Sequence, residues 1–346
     1  MGVIRIRGRA LPSGDVVDLY ADGDRWTDDP VRNAELVGQG WLLPGLVDAH
    51  THPGADPPEQ LDDTLLRSDL AEHLAAGVTM LRAPGLAGDP PDWFGNDAEL
   101  PRAVHAGPWI AQHGQFIDGW GRRAEPAEMP GIAAAQAARS GWAKLIGDWR
   151  QDDPALTESA FREVVTAVHA VHGRLAVHAQ TSAGAAAAAR AGVDSIEHGQ
   201  GLDPDLLPML ADRGTALTPT LRGIEQALHV RLARGDDPAI PWVATAAVHG
   251  ELAAAAVEAG VRVLAGTDSR PHGRVADEIR ALAATGMRSH DALAAGSWSA
   301  RTFLGLPGLV PGAPADAVIY DQDPRDDLGC LDHPSAIVLR GRIVTR

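Results

Sequence analysis

From about Leu43 to Leu306 the chain repeats one pattern, a short apolar, β-rich segment followed by a longer stretch with helical spacing. Eight apolar segments stand out, at 41–52, 77–83, 109–117, 142–147, 174–179, 194–198, 216–220 and 261–267. Helical stretches lie between most of them, at 64–75, 126–140, 156–171, 181–191, 205–212 and 241–259. Such alternation predicts an α/β fold of parallel strands joined by crossover helices. Eight units in roughly 260 residues is the size of a (β/α)8 TIM barrel.

The two ends break this pattern. Short alternating segments at 3–7 and 16–21 are separated by Gly, Asp and Pro, and further strand-like segments lie at 317–320 and 336–344. The last reads as a hairpin around Arg340-Gly341. Two strand-rich ends flanking a barrel predict one small β-sandwich domain, built from 1–42 and 308–346, beside a barrel of 43–307.

Composition narrows the class of protein. A chain of 346 residues with 45% apolar residues is long enough for one large domain and a small companion. The formal net charge of −16 argues against a nucleic-acid partner, since phosphate binding needs basic surface. No apolar run is long enough to span a bilayer. The start, Met1 to Arg7, alternates like a strand and lacks the apolar core of a signal peptide. Cys330 is the only cysteine, which excludes an internal disulfide and a zinc–cysteine cluster. The expectation is a cytoplasmic enzyme with a small-molecule substrate and no membrane partner; homo-oligomerisation is left open.

The candidate chemistry begins at Leu43-Pro44-Gly45-Leu46-Val47-Asp48-Ala49-His50-Thr51-His52. Residues i and i+2 of a strand point the same way, so His50 and His52 project together as half of a metal site. In a barrel of this type the active site lies at the C-terminal strand ends. Lys144 lies in strand four, His178 ends strand five, His198 ends strand six and Asp268 ends strand eight. Alternation turns Glu197 away from the ligands and toward the helices, a structural position.

These segments resemble the amidohydrolase superfamily, and more closely its prolidase-like and imidazolonepropionase-like branch. The run 43–52, Ser195-Ile196-Glu197-His198-Gly199, Gly266-Thr267-Asp268-Ser269 and Gly312-Ala313-Pro314-Ala315-Asp316-Ala317-Val318-Ile319 carry the resemblance. It implies two divalent metal ions, one on His50 and His52 and a second on His178 and His198. It also implies that Lys144 is an N6-carboxylysine bridging them, and that Asp268 touches the first ion as general base and acid. The ligand types suit zinc best, without excluding manganese, cobalt, nickel or iron. The implied reaction is cleavage of a C–N bond in an amide, dipeptide or cyclic amide by a metal-bound hydroxide. A one-metal site beside an unmodified Lys144 is the rival.

Substrate contacts are expected from His113 and Gln115 near the end of strand three, from Trp120 as a pocket wall, from Arg122 or Arg123 as a carboxylate clamp, and from Arg222 after strand seven. Prolidase-like relatives often carry Gly-Gly-His in the strand-three loop; here it is Gly119-Trp120-Gly121, which counts against a dipeptide. Arg270 and His272 follow Asp268 toward the mouth, whereas His73, His169, His172, His249, His290 and His333 are read as surface. The alternatives are a mononuclear-metal deaminase of the same superfamily and a non-catalytic binding protein on the same fold. Against the first, the stretch His178-Ala179-Gln180-Thr181 has no proton-shuttling carboxylate.

Overall fold

A run of parallel strands positions the site. The structure, a computed structural model, describes residues 3–56, 59–150 and 153–344. Trp142–Ile146, Arg174–Ala179, Ser195–His198, Ala216–Thr218 and Arg262–Val263 lie side by side in chain order, and Ile110–Ala111 flanks Trp142–Ile146. A second parallel sheet joins Leu46–Asp48, Val78–Ala83 and Arg102–His105. The sheets meet through the Leu86–Pro108 bridge on one side. On the other, Ala49 N–H donates to Ala265 O at 2.8 Å and Asp268 N–H to His50 O at 2.9 Å. This is a TIM-barrel-like α/β fold. One apolar cluster, with Val47, Met80, Trp142, Ala176, Ala216 and Leu264 packed on Phe303, takes a residue from each of five strands and Leu264 from just beyond Arg262–Val263.

The helices follow the expected stretches where an apolar stripe and a cap coincide. Thr157 caps Glu158–Ala170, accepting from Ala160 N–H, and Phe161, Val164, Val165 and Val168 form its buried face. The stretch expected at 241–259 is broken at Val248 into Pro241–Ala247 and His249–Glu258. Leu221–Ala233, Ser289–Ala295 and Trp298–Phe303 are additional helices. In Leu221–Ala233 only Ile224 is buried, although Leu221, Ile224, Leu228 and Leu232 have helical spacing, a stretch the expected helices leave out.

Two expected strands are placed differently. The segment expected at 109–117 begins earlier, as Arg102–His105, and resumes as Ile110–Ala111 after the interruption at Gly107-Pro108. Residues beyond Ala111 form a loop. The segment expected at 41–52 is two strands, because Trp41, Leu42 and Leu43 pair with Tyr320, Ile319 and Val318 in another sheet. The strand of the parallel sheet starts only at Leu46, beyond Pro44-Gly45.

That other sheet is built from both ends of the chain. It is a seven-stranded mixed sheet in the order Arg342–Ile343, Ala336–Leu339, Ala317–Tyr320, Glu35–Leu43, Ile4–Ala10, Asp15–Asp22, Arg25–Thr27. The hairpin turn falls at Arg340-Gly341, both with positive φ (49° and 72°), as a tight two-residue turn requires. Among the described residues, no helix is long and apolar enough to cross a membrane.

Candidate active site

His50, His52, Lys144, His178, His198 and Asp268 line one cavity of about 940 Å³. Their ring nitrogens meet in pairs. His50 Nε2 is 3.1 Å from His52 Nε2, and His198 Nε2 is 2.9 Å from His178 Nδ1. Asp268 Oδ1 lies 3.3 Å from His52 Nε2 and 3.7 Å from His50 Nε2, and Asp268 Oδ2 lies 3.8 Å from His198 Nδ1. One ligand atom each from His50, His198 and Asp268 falls within 4.8 Å of the others.

Strand ends aim these groups by leaving regular β geometry. His198 and Asp268 have φ of 64° and 43°, and Thr220, which partners His198, has φ of 51°. Non-glycine residues seldom adopt that left-handed region, and functional sites are where it recurs. The turn at His198 corrects the expectation for Glu197. Strand alternation already points Ser195 and Glu197 inward, and the positive φ brings His198 in beside them. Glu197 is fully buried; its Oε2 is 2.7 Å from His50 Nδ1. Gly266 is required by close approach, since a Cβ there would sit 2.5 Å from His50 Cβ.

Outer partners fix three of the four rings. His50 Nδ1 faces Glu197, His52 Nδ1 faces Gly85 O at 2.7 Å, and His198 Nδ1 faces Thr220 Oγ1 at 2.7 Å. A ligating histidine characteristically has its second nitrogen held this way. Glu197 is itself held by Arg82, whose Nη2 donates to both carboxylate oxygens at 2.9 Å, and by Ser195 Oγ at 2.6 Å. Burial alone would raise the Glu197 carboxyl, but Arg82, Lys144 and His50 hold it far below its ordinary value. Arg82 escaped the sequence reading. Its signal is a lone charge in the apolar strand Val78–Ala83, two residues from inward-facing Met80.

The electrostatics fit metal ligation. Burial, then neighbouring positive groups, holds His52, His178 and His198 well below the ordinary imidazole value, so their lone pairs are free. His178 Nε2 is buried without a hydrogen-bond partner among the described residues. Burial lowers the Lys144 amine to about 8 and raises the Asp268 carboxyl, the latter against His50 and Lys144. Four imidazoles and a carboxylate converging in a buried site are a donor set for divalent transition metals.

The expected substrate contacts fare unevenly. Trp120 is buried, lines the cavity and stacks on Trp109 at 5.0 Å with 6° between planes. His113 is exposed on the loop beyond Ala111, outside the lining residues. Arg122 is exposed and 3.8 Å from Asp89, also outside the lining. Arg222 pairs with Glu225 on the outer side of Leu221–Ala233 and lines a different cavity. The shift of strand three and the unforeseen helix account for these displacements. Arg270 and His272 do line the cavity, and Arg270 is tied to Asp69 at 2.7 Å and Asp56 at 2.6 Å. His73 and His249 are buried, not on the surface. His73 Nε2 lies 3.2 Å from Thr51 Oγ1, and His249 Nε2 lies 2.8 Å from Pro219 O.

Comparison with known proteins places this chain in a family. The model of the amidohydrolase family matches residues 41–344. An uncharacterized protein of Mycobacterium tuberculosis is 37% identical over 363 residues, covering 98% of this chain and 95% of that one. Ochratoxinase of Aspergillus niger is 28% identical over 202 residues, 54% of this chain and 41% of that one. Among solved structures, a Xaa-Pro dipeptidase with methionine bound in its active site aligns with a TM-score of 0.81 at 21% identity, covering 100% of each chain. The A. niger ochratoxinase structure aligns with a TM-score of 0.79 at 19% identity, covering 99% of this chain and 96% of that one.

Proposed function

Because the chain belongs to the amidohydrolase family, we propose that it is a metal-dependent hydrolase of the prolidase-like branch that cleaves an amide C–N bond of a small molecule. The observation that carries this reading is the convergence of four imidazoles, Asp268 and Lys144 on one cavity. In this reading His50 and His52 hold one divalent ion, with Asp268 beside it, and His178 and His198 hold a second. Zinc suits these ligands. Such ions supply a Lewis acid for the carbonyl and lower the pKa of water.

Lys144 is the proposed bridge, as N6-carboxylysine. An amine drawn down to about 8 by burial is partly neutral near pH 7. The neutral amine adds to CO2, forming an N–C bond and releasing a proton, and so exchanges a cation for a carboxylate acceptor. Asp268 takes the proton of the attacking water and delivers it to the leaving nitrogen. Glu197 and Arg82 hold His50 in place and do not touch substrate. In this proposal 43–307 form the closed (β/α)8 barrel, supported by the Ala49–Ala265 and Asp268–His50 bonds. The terminal segments 1–42 and 308–346 form the composite β-sandwich domain, supported by their own apolar cluster around Ile6, Trp26, Leu42 and Ile319.

Metal content tests the reading. The protein loaded with zinc and bicarbonate should retain two ions per chain and hydrolyse amides, and Lys144→Ala should lose one ion and most turnover. Less than one ion per chain in the loaded protein would sink the proposal; undiminished turnover with two ions in Lys144→Ala would remove the bridge.

A further inference from the structure

The wall above the histidines is aromatic to a degree the composition does not prepare for. Four of the chain's nine tryptophans line this one cavity. Ring contacts run without a gap from one histidine pair to the other. The centroid of His52 is 4.9 Å from Trp109, Trp109 is 5.0 Å from Phe116, Phe116 is 5.0 Å from Trp149, and Trp149 is 5.6 Å from His178. Trp120, stacked behind Trp109, stiffens the arc. Across the cavity, Trp242 is fixed by its Nε1–H donating to Gln180 Oε1 at 3.1 Å.

Trp109 and Trp120 are buried, whereas Phe116, Trp149 and Trp242 are half-buried at the cavity. Phe116 holds φ of 69°, a costly conformation for a bulky side chain and one that persists only where its surroundings impose it. A purely apolar pocket could be lined with Leu and Val. Rigid rings held at fixed angles offer negative faces and positive edges as well, which match another ring. We infer that this arc is a subsite for a planar aromatic group, so that the amide cleaved carries an aromatic ring next to its C–N bond. The inference rests on the amide-hydrolase reading above and deepens it to a substrate class.

Calorimetric titration of the metal-loaded full-length protein with benzoate and with cyclohexanecarboxylate isolates the aromatic contribution, because the probes match in charge and nearly in size. Benzoate should bind roughly three- to tenfold tighter, the range for an added ring–ring contact. Phe116→Leu and Trp149→Leu, made singly, should each reduce that ratio toward one. Equal affinities in the unaltered protein, or a ratio untouched by both substitutions, would overturn the subsite. In a turnover comparison, N-benzoylglycine or N-acetylphenylalanine should exceed N-acetylleucine in kcat/KM, and the better of the two tells which side of the bond the ring occupies. Preference for N-acetylleucine overturns the subsite but leaves the hydrolase reading intact. Retained benzoate selectivity with no amide turned over supports the subsite and defeats the hydrolase reading instead.

Discussion

At the scale of single residues, the site separates groups proposed to act on substrate from groups that hold them. Asp268 keeps 27% of its side chain exposed, toward the cavity it lines, and stands within 3.8 Å of three histidines. Asp268→Asn should keep most of the metal while kcat falls on the order of 10²–10⁴, the range for lost acid–base help; steady-state kinetics with metal analysis checks both. Glu197 acts through His50. Glu197→Gln weakens the hold on the His50 ring and unbalances Arg82, so metal affinity should fall by about 10–100-fold, read by competition with a chelator. The sequence pointed to Asp268, Lys144 and the histidines that line the cavity because each ends or occupies an apolar segment. Glu197 was legible as a residue but not as a partner, since a single positive φ at His198 reverses what alternation predicts.

At the scale of elements, helix Leu221–Ala233 supplies Gln226, Ala227 and Arg231 to the cavity wall, yet its N-terminus lacks a side-chain cap of its own. Glu278, from helix Val275–Ala284, provides one, accepting from Leu221 N–H at 2.8 Å and Arg222 N–H at 2.9 Å. Burial lifts the Glu278 carboxyl from its ordinary 4.5 to about 8, against those two hydrogen bonds. A raised folded-state value favours the protonated form. That stabilisation is complete below pH 4.5 and disappears as pH climbs through about 8. Between pH 5 and 9, urea unfolding should therefore show a steeper loss of stability for the unaltered protein than for Glu278→Gln; parallel profiles would contradict this. No neighbouring side chain marks where the helix starts, because its cap comes from 57 residues away.

At the scale of the whole molecule, the terminal sheet and the barrel-like parallel sheets share a core. Leu43, Val318, Tyr320 and Leu339 of the sheet belong to the same apolar cluster as Leu46, Val78 and Leu81 of the barrel strands. Buried Asp316 ties the two together, accepting from Arg102 Nε at 2.9 Å, Arg301 Nη2 at 3.5 Å and Arg340 N–H at 3.0 Å. Asp316→Ala leaves the buried Arg301 guanidinium uncompensated and should cost about 3–5 kcal/mol. Calorimetry should show this as a lower Tm within one cooperative transition. Two separated transitions would mean that sheet and barrel unfold independently.

The sequence by itself determined the strand–helix alternation, the joining of both termini in one sheet, and which histidines, with Lys144 and Asp268, meet at the cavity. Those features are local: apolar periodicity and a polar residue at a strand end are written in neighbouring positions. Tertiary structure alone decided the Arg82–Glu197–His50 chain, the Glu278 cap, the aromatic arc, and the placement of His113, Arg122 and Arg222 away from the cavity. Each depends on where separate elements cross, and a shift of a few residues in strand three or a φ changed at one strand end redirects a side chain without altering the pattern that encodes the strand.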